Sequence, residues 1–383
     1  MDVPASLGRW LREYCNNESQ VCCRCLHVRM TPQPHLKTAL LCALSLSLLA
    51  CSHMDTSPGG GTFSQLPAQA LVVANGGTGE VQVIDPNTLT LVSKLAVMEG
   101  MKPHHFGSSP DGTKLLVTAI SSDLSGGHGG AGGHGGSGAA STVVYQLDRA
   151  AKTLQNIFAV DATGHNAAYT RDGKSIVIGM AEHGMVSVRD ATTLAETSSA
   201  NGLGSPLEVT PTGLDSLLVA ESSSGKIAVV TLANRTVTAR FDVGATPVAA
   251  WPAANGNYFV SSEAAMKIWR LNETNGTIQL DARVLDPGGM PGQVVMSPDG
   301  KEIWAAVEDR QVLVVFDAVS HAKLAEIPAG VKPHGLAFHP TGSKLFVTDE
   351  GGGKVLVVDV ATRVVTAEII TGGAPNGIVW VGN

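Results

Sequence analysis

After Cys51 the chain has no cysteine at all. The six it contains (Cys15, Cys22, Cys23, Cys25, Cys42 and Cys51) fall in the first 51 of 383 residues. The body of the protein can therefore hold neither a disulfide nor a thiolate metal site. The Val21-Cys22-Cys23-Arg24-Cys25 stretch lacks a second ligand pair at zinc-finger spacing. Charge is scarce too, at 15% of residues, and the formal net charge of −7 leaves no basic footprint for nucleic acid. That balance suits a cationic small ligand or a metal better than a phosphate polymer. Aromatics make up only 4%, yet 44% of the chain is hydrophobic, which is too apolar for a disordered polymer. No Gly-x-Ser-x-Gly elbow, no His-Glu-x-x-His pair and, after Cys51, no haem-attaching Cys-x-x-Cys-His is present. What is plentiful is glycine, 44 residues of it, which predicts many short strands joined by tight turns.

Near the start, residues 30–50 read as a secretory leader: Lys37 supplies positive charge, and Thr38 to Leu49 form an apolar run too short to span a bilayer. Leu48-Leu49-Ala50-Cys51 resembles the bacterial lipobox, which implies diacylation of Cys51. On that resemblance Met30 is the expected start and residues 1–29 an upstream extension. Ser52 resembles the outer-membrane sorting pattern of Gram-negative lipoproteins, so a periplasm-facing location is implied, with the membrane touched only through the lipid. Residues 51–67 then read as a flexible tether and 68–383 as the folded body.

The body repeats. Aligning the turn that follows each inner strand gives PHHFGSSPDG (103–112), GHNAAYTRDG (164–173), SPLEVTPTG (205–213) and TPVAAWPAANG (246–256). PGQVVMSPDG (291–300), PHGLAFHPTG (333–342) and PNGIVW (375–380) complete the set. The aligned positions 104, 165, 205, 246, 292, 334 and 376 are spaced by 61, 40, 41, 46, 42 and 42 residues. A unit near 42 residues with four strand-like segments predicts one propeller blade, hence an all-β, seven-bladed propeller. The first blade lacks an inner strand and the chain ends on a lone one, so the C-terminal strand is expected to close the ring. Leu345-Phe-Val-Thr-Asp349, Leu71-Val-Val-Ala-Asn75 and the Ser-Pro-Asp-Gly turns resemble the YVTN-type propeller repeat. That resemblance implies the fold, while its relatives include binding proteins, lactonases and cofactor domains.

Candidate chemistry follows from strand direction. Inner-strand starts and second-strand ends share a face, and on it the starts are His104 (with His105), His165, Ser205, Thr246, Gly292, His334 and Asn376. Ring order makes His334, Asn376, His104 and His165 a contiguous arc at the expected channel mouth. The second-strand ends add Asn75, Glu182, His183, Glu221, Glu263, Glu308, Asp349 and Glu350. Imidazoles flanked by carboxylates are ligands for Zn²⁺ or Cu²⁺. The alternatives are a structural hydrogen bond for each histidine and a solvated rim for the acidic ring. The long spacing comes from a Gly-rich insertion, 121–142, expected to be unpacked and carrying His128 and His134 toward the same face. Together these resemble periplasmic zinc-metallochaperone propellers, though the insertion lacks a His-Asp run. Resemblance to nitrous-oxide-reductase and haem d1 propellers is weaker.

The leading expectation is therefore a non-catalytic, monomeric envelope propeller that binds a protein, a small ligand or a metal ion, zinc first, on its histidine face. A lactonase-like hydrolase and a pure protein-interaction scaffold are the alternatives. Against catalysis, no arginine stands at an inner-strand start, and Arg171 falls at a turn on the opposite face.

Overall fold

A computed structural model describes residues 59–121, 141–213, 215–253, 256–275 and 277–382. These residues form seven four-stranded antiparallel sheets arranged as consecutive blades, with no α-helix among them. The first blade takes its inner strand from the C-terminus: Pro375–Val381 pairs with Ala70–Asn75, followed by Glu80–Asp85 and Thr90–Ala96. The other inner strands are Lys102–Ser108, Ala167–Tyr169, Pro206–Pro211, Pro247–Pro252, Pro291–Met296 and Pro333–Phe338. The seven-bladed propeller and its closure by the last strand are thus both present.

Burial explains why the strands read as they do. The middle strands of each blade face neighbours on both sides and are mostly apolar; Ala70–Asn75 and Ser216–Glu221 are buried at every position. Outer strands are half solvated and alternate, as Thr236–Asp242 and Val364–Ile370 do. The core consists of seven apolar layers, one per blade interface. The closing layer packs Leu71, Val73 and Ile84 of the first blade on Phe346, Val355 and Val357 of the seventh. Each fully buried aliphatic side chain contributes about 1.5–3 kcal/mol, so the interfaces carry most of the ring's stability.

Two features of the inner strands set up the site. Pairing with the second strand slips between Pro103 and Phe106, Pro206 and Val209, Pro291 and Val294, and Pro333 and Leu336. These are β-bulges, and they free adjacent residues from strict alternation. The inner strands also approach one another closely. A Cβ on Gly107 would lie 2.2 Å from Ala167 O, and one on Gly377 would lie 2.3 Å from His104 O.

Residues 59–67 depart from the expected tether. Gly61–Thr62 adds a fifth strand to the outer edge of the second blade, pairing with Thr153 and Leu154. Phe63 and Leu66 are buried in the layer between the first and second blades. Their side chains gain more from that apolar layer than the chain loses in freedom. The proposed leader, the 1–29 extension and Cys51 lie outside the described residues, as do His128 and His134.

Candidate functional site: a channel cavity over a histidine–glutamate pair

Four imidazoles meet in the channel, three of them carried by the bulges at Pro103–Phe106 and Pro333–Leu336. His104 and His105 centre 4.3 Å apart, His104 and His165 5.0 Å, His105 and His334 6.0 Å, and His104 and His334 6.3 Å. All four are buried, His165 completely. The arc read from sequence is therefore real as a cluster, but it fills the channel instead of lining an open mouth.

Two buried carboxylates, Glu208 and Glu308, hold histidines of the cluster. Glu208, 2% exposed, accepts from His105 Nδ1 at 2.5 Å and has His165 Nδ1 at 3.9 Å. On the strand-start side, His334 Nδ1 bonds Glu308 Oε1 at 2.6 Å. Lys332 Nζ lies 3.6 Å from Glu308 and 2.5 Å from Glu350. Burial pulls the Lys332 ammonium down, but these two carboxylates outweigh it and hold it above its ordinary value.

The metal expectation finds no ligand set among the described residues. Among the described residues no three His, Cys, Asp or Glu side chains are placed to hold one metal ion. The imidazoles tilt or stack on one another, and His105 and His334 turn their Nδ1 atoms to separate carboxylates, which divides those donors instead of focusing them. Among the described residues the outer ring is no ligand set, and most of its members are buried, Glu182 and His183 alone being exposed. Asn75 bonds Gly372 O and Ala374 N, Glu182 accepts from Thr163 N and Oγ1, and Glu221 holds Gly204 N and Arg240. Asp349 accepts from Val331 N and Lys332 N. In each of these blades the residue at the end of the second strand ties down the connection entering its own inner strand, satisfying amides that would otherwise be orphaned. His183 stands apart from the channel, 3.8 Å from Asp161.

The open space lies toward the other end. A cavity of about 650 Å³ is lined by the later parts of the inner strands and the turns after them. His105 and Glu208 lie at its inner end, with Asn166 and Gln293 at the same level. Phe106, Tyr169 and Trp251 form walls, and Arg171, Pro211 and Pro252 stand at the rim. The indole of Trp251 meets the His105 ring edge-on at 5.9 Å and is held by Nε1–H donating to Ser261 Oγ at 3.0 Å. Burial raises the Tyr169 phenol above its ordinary pKa, despite an opposing hydrogen bond from Gln146.

Glu208 is positioned from the neighbouring blade. Asn166 donates to Val209 O and accepts from Val209 N, both at 2.9 Å, and His165 N donates to Leu207 O at 3.2 Å. Consecutive residues of the third blade thereby clamp both sides of Glu208. Gln293 repeats the device farther round, accepting from Leu336 N at 2.6 Å.

Sequence reasoning found His105 but missed Glu208, Trp251, Asn166 and Gln293. It placed Arg171 on the face opposite the strand starts, which is correct, and discounted it for that reason. That face is where the cavity opens.

No protein-family model matches the chain, and no curated protein matches it. Solved structures do share its fold. A periplasmic gluconolactonase from Pseudomonas aeruginosa is 18% identical over 82% of this chain and 99% of its own, with a TM-score of 0.62. A protein assigned as a 6-phosphogluconolactonase from Bacteroides fragilis is 15% identical over 85% of this chain and 99% of its own, with a TM-score of 0.63. Hydrazine synthase from Kuenenia stuttgartiensis matches at 17% identity over 72% of this chain and 89% of its own, with a TM-score of 0.55. At such identities the likeness establishes the propeller fold. The expectation of a non-catalytic propeller is nevertheless overturned. Arg171, discounted because it lies opposite the strand starts, lines one cavity with His105 and Glu208, and two of these neighbours bear lactonase names.

Proposed function

We propose that the protein is a hydrolase of cyclic esters, with His105 as general base and Glu208 as the carboxylate that orients it. The observation that carries this reading is the buried His105–Glu208 hydrogen bond at the inner end of an open cavity. Glu208, ionised, can only accept, so the proton of the neutral imidazole sits on Nδ1 and the basic lone pair on Nε2. A water in the cavity gives its proton to Nε2 while its oxygen adds to the lactone carbonyl carbon. The tetrahedral intermediate then expels the ring oxygen, which takes that proton back, leaving a hydroxy acid. Glu208 stabilises the imidazolium that exists between these steps, and burial strengthens that stabilisation.

The test is proton release from a panel of lactones, followed in a pH-stat with the purified protein. Glu208→Gln is expected to lower kcat by about 100-fold or more, within the range usual for an acid–base group. Turnover unchanged in both His105→Ala and Glu208→Gln would sink the reading.

The proposal keeps the setting argued from sequence: a YVTN-type propeller of the cell envelope, held to the membrane through acylated Cys51. Mass spectrometry of the mature N-terminus tests that part on its own.

A further inference from the structure

The cavity's side chains also say what kind of ring would fit, an inference that rests on the hydrolase reading. Several side-chain hydrogen-bonding groups in the wall are already engaged with the protein. Asn166 gives one donor and its acceptor to Val209. Thr210 donates its only proton to Ala250 O at 2.8 Å, and Trp251 its only N–H to Ser261. Gln293 Oε1 is taken by Leu336 N–H. A sugar lactone brings several hydroxyls, each of which loses water on binding and needs a partner in return. This wall has few to offer. It offers aromatic and aliphatic surface instead, from Phe106, Trp251 and Ile378.

Arg171 supplies the second half. Among the described residues it is the only lysine or arginine lining the cavity, it is exposed, and its guanidinium has no hydrogen bond or ion pair. It follows Asn166, which lines the cavity at the level of His105, by five residues. Three strand residues, Ala167–Tyr169, lie between them, which places its backbone at most about 16 Å farther toward the rim. A guanidinium so far from the base is suited to a substituent on the distal side of the substrate, and it pairs best with an oxyanion.

We infer that the cavity takes an apolar-bodied lactone bearing one anionic group, in preference to a polyhydroxylated sugar lactone.

Phthalide, 5-carboxyphthalide and glucono-1,5-lactone separate the possibilities. Binding to the Glu208→Gln protein is measured by calorimetry, and turnover by the wild type. The expected order in both is 5-carboxyphthalide, then phthalide, then glucono-1,5-lactone, with about tenfold or more between the first two, the size of one charge-assisted contact. Arg171→Gln, a change at an exposed position, should bring the two phthalides within about threefold of each other. Glucono-1,5-lactone bound or hydrolysed best overturns the inference and leaves a lactone hydrolase standing. A phthalide preference indifferent to Arg171→Gln also overturns it. Binding in the expected order without turnover of any lactone sinks the hydrolase reading and keeps the ligand class. No binding and no turnover overturns both.

Discussion

At the scale of single residues, the chemistry of the channel depends on where one carboxylate sits. Glu208 is legible in the sequence only as the fourth residue of SPLEVTPTG, where alternation would send it and Leu207 to opposite sides. The bulge between Pro206 and Val209 removes that rule, and nothing in a single sequence marks a bulge of this type. The histidines were easier to find because Pro-His recurs at the same place in two repeats. Their role was misread because their distance from the surface depends on the whole ring. Asn166 is the residue whose change tests the clamp on Glu208. Asn166→Ala removes two hydrogen bonds to Val209, for about 1–3 kcal/mol of stability. A purely structural role would end there. As a positioning residue it should also cost about tenfold in kcat with KM little changed, because a displaced Glu208 no longer aligns the base. Asn166→Asp, which keeps the acceptor for Val209 N–H, should recover part of that loss. Equal kcat in all three proteins contradicts the clamp.

At the scale of elements, the strands were the most readable part of the molecule. Middle strands such as Leu345–Asp349 are buried on both faces and so nearly unbroken in apolar character, while the turns are spelled by Asp, Gly and Pro. One recurrent element was not legible. The hairpin into the outer strand places a non-glycine residue in the left-handed region in blade after blade: Leu89, Lys152, Leu194, Arg235, His321 and Arg363, with φ of 56–63°. An Asp side chain stabilises most of these turns, as Asp190 does by accepting from Thr192 N and Thr193 N at 2.9 and 2.7 Å. The strain remains. Lys152 is exposed, so Lys152→Gly should relieve it at little other cost. The expected gain is about 0.5–1 kcal/mol, read as a rise in the thermal midpoint. A fall in the midpoint would mean that the turn is not strained.

At the scale of the whole molecule, the ring gives the channel two unlike ends. Toward the strand starts, the His334–Glu308–Lys332–Glu350 network and the second-strand caps close the structure on itself. Toward the strand ends, the cavity opens over His105 and Glu208 with Arg171 at its rim. The sequence could say which residues share a face, because strand direction is countable. It could not say which face is hollow, since that depends on how far seven sets of side chains fill a common axis. The same limit explains why Phe63 and Leu66 went unread as packed residues: the partner surface is made by two blades distant in the chain. The central claim is that the hollow end is the functional one. A crystal structure of the Glu208→Gln protein soaked with 5-carboxyphthalide tests it most directly. The ligand is predicted in the cavity, its ring against Trp251, its carbonyl toward His105 and its carboxylate toward Arg171. A ligand seated instead beside His334 and Lys332 at the other end of the channel would contradict it.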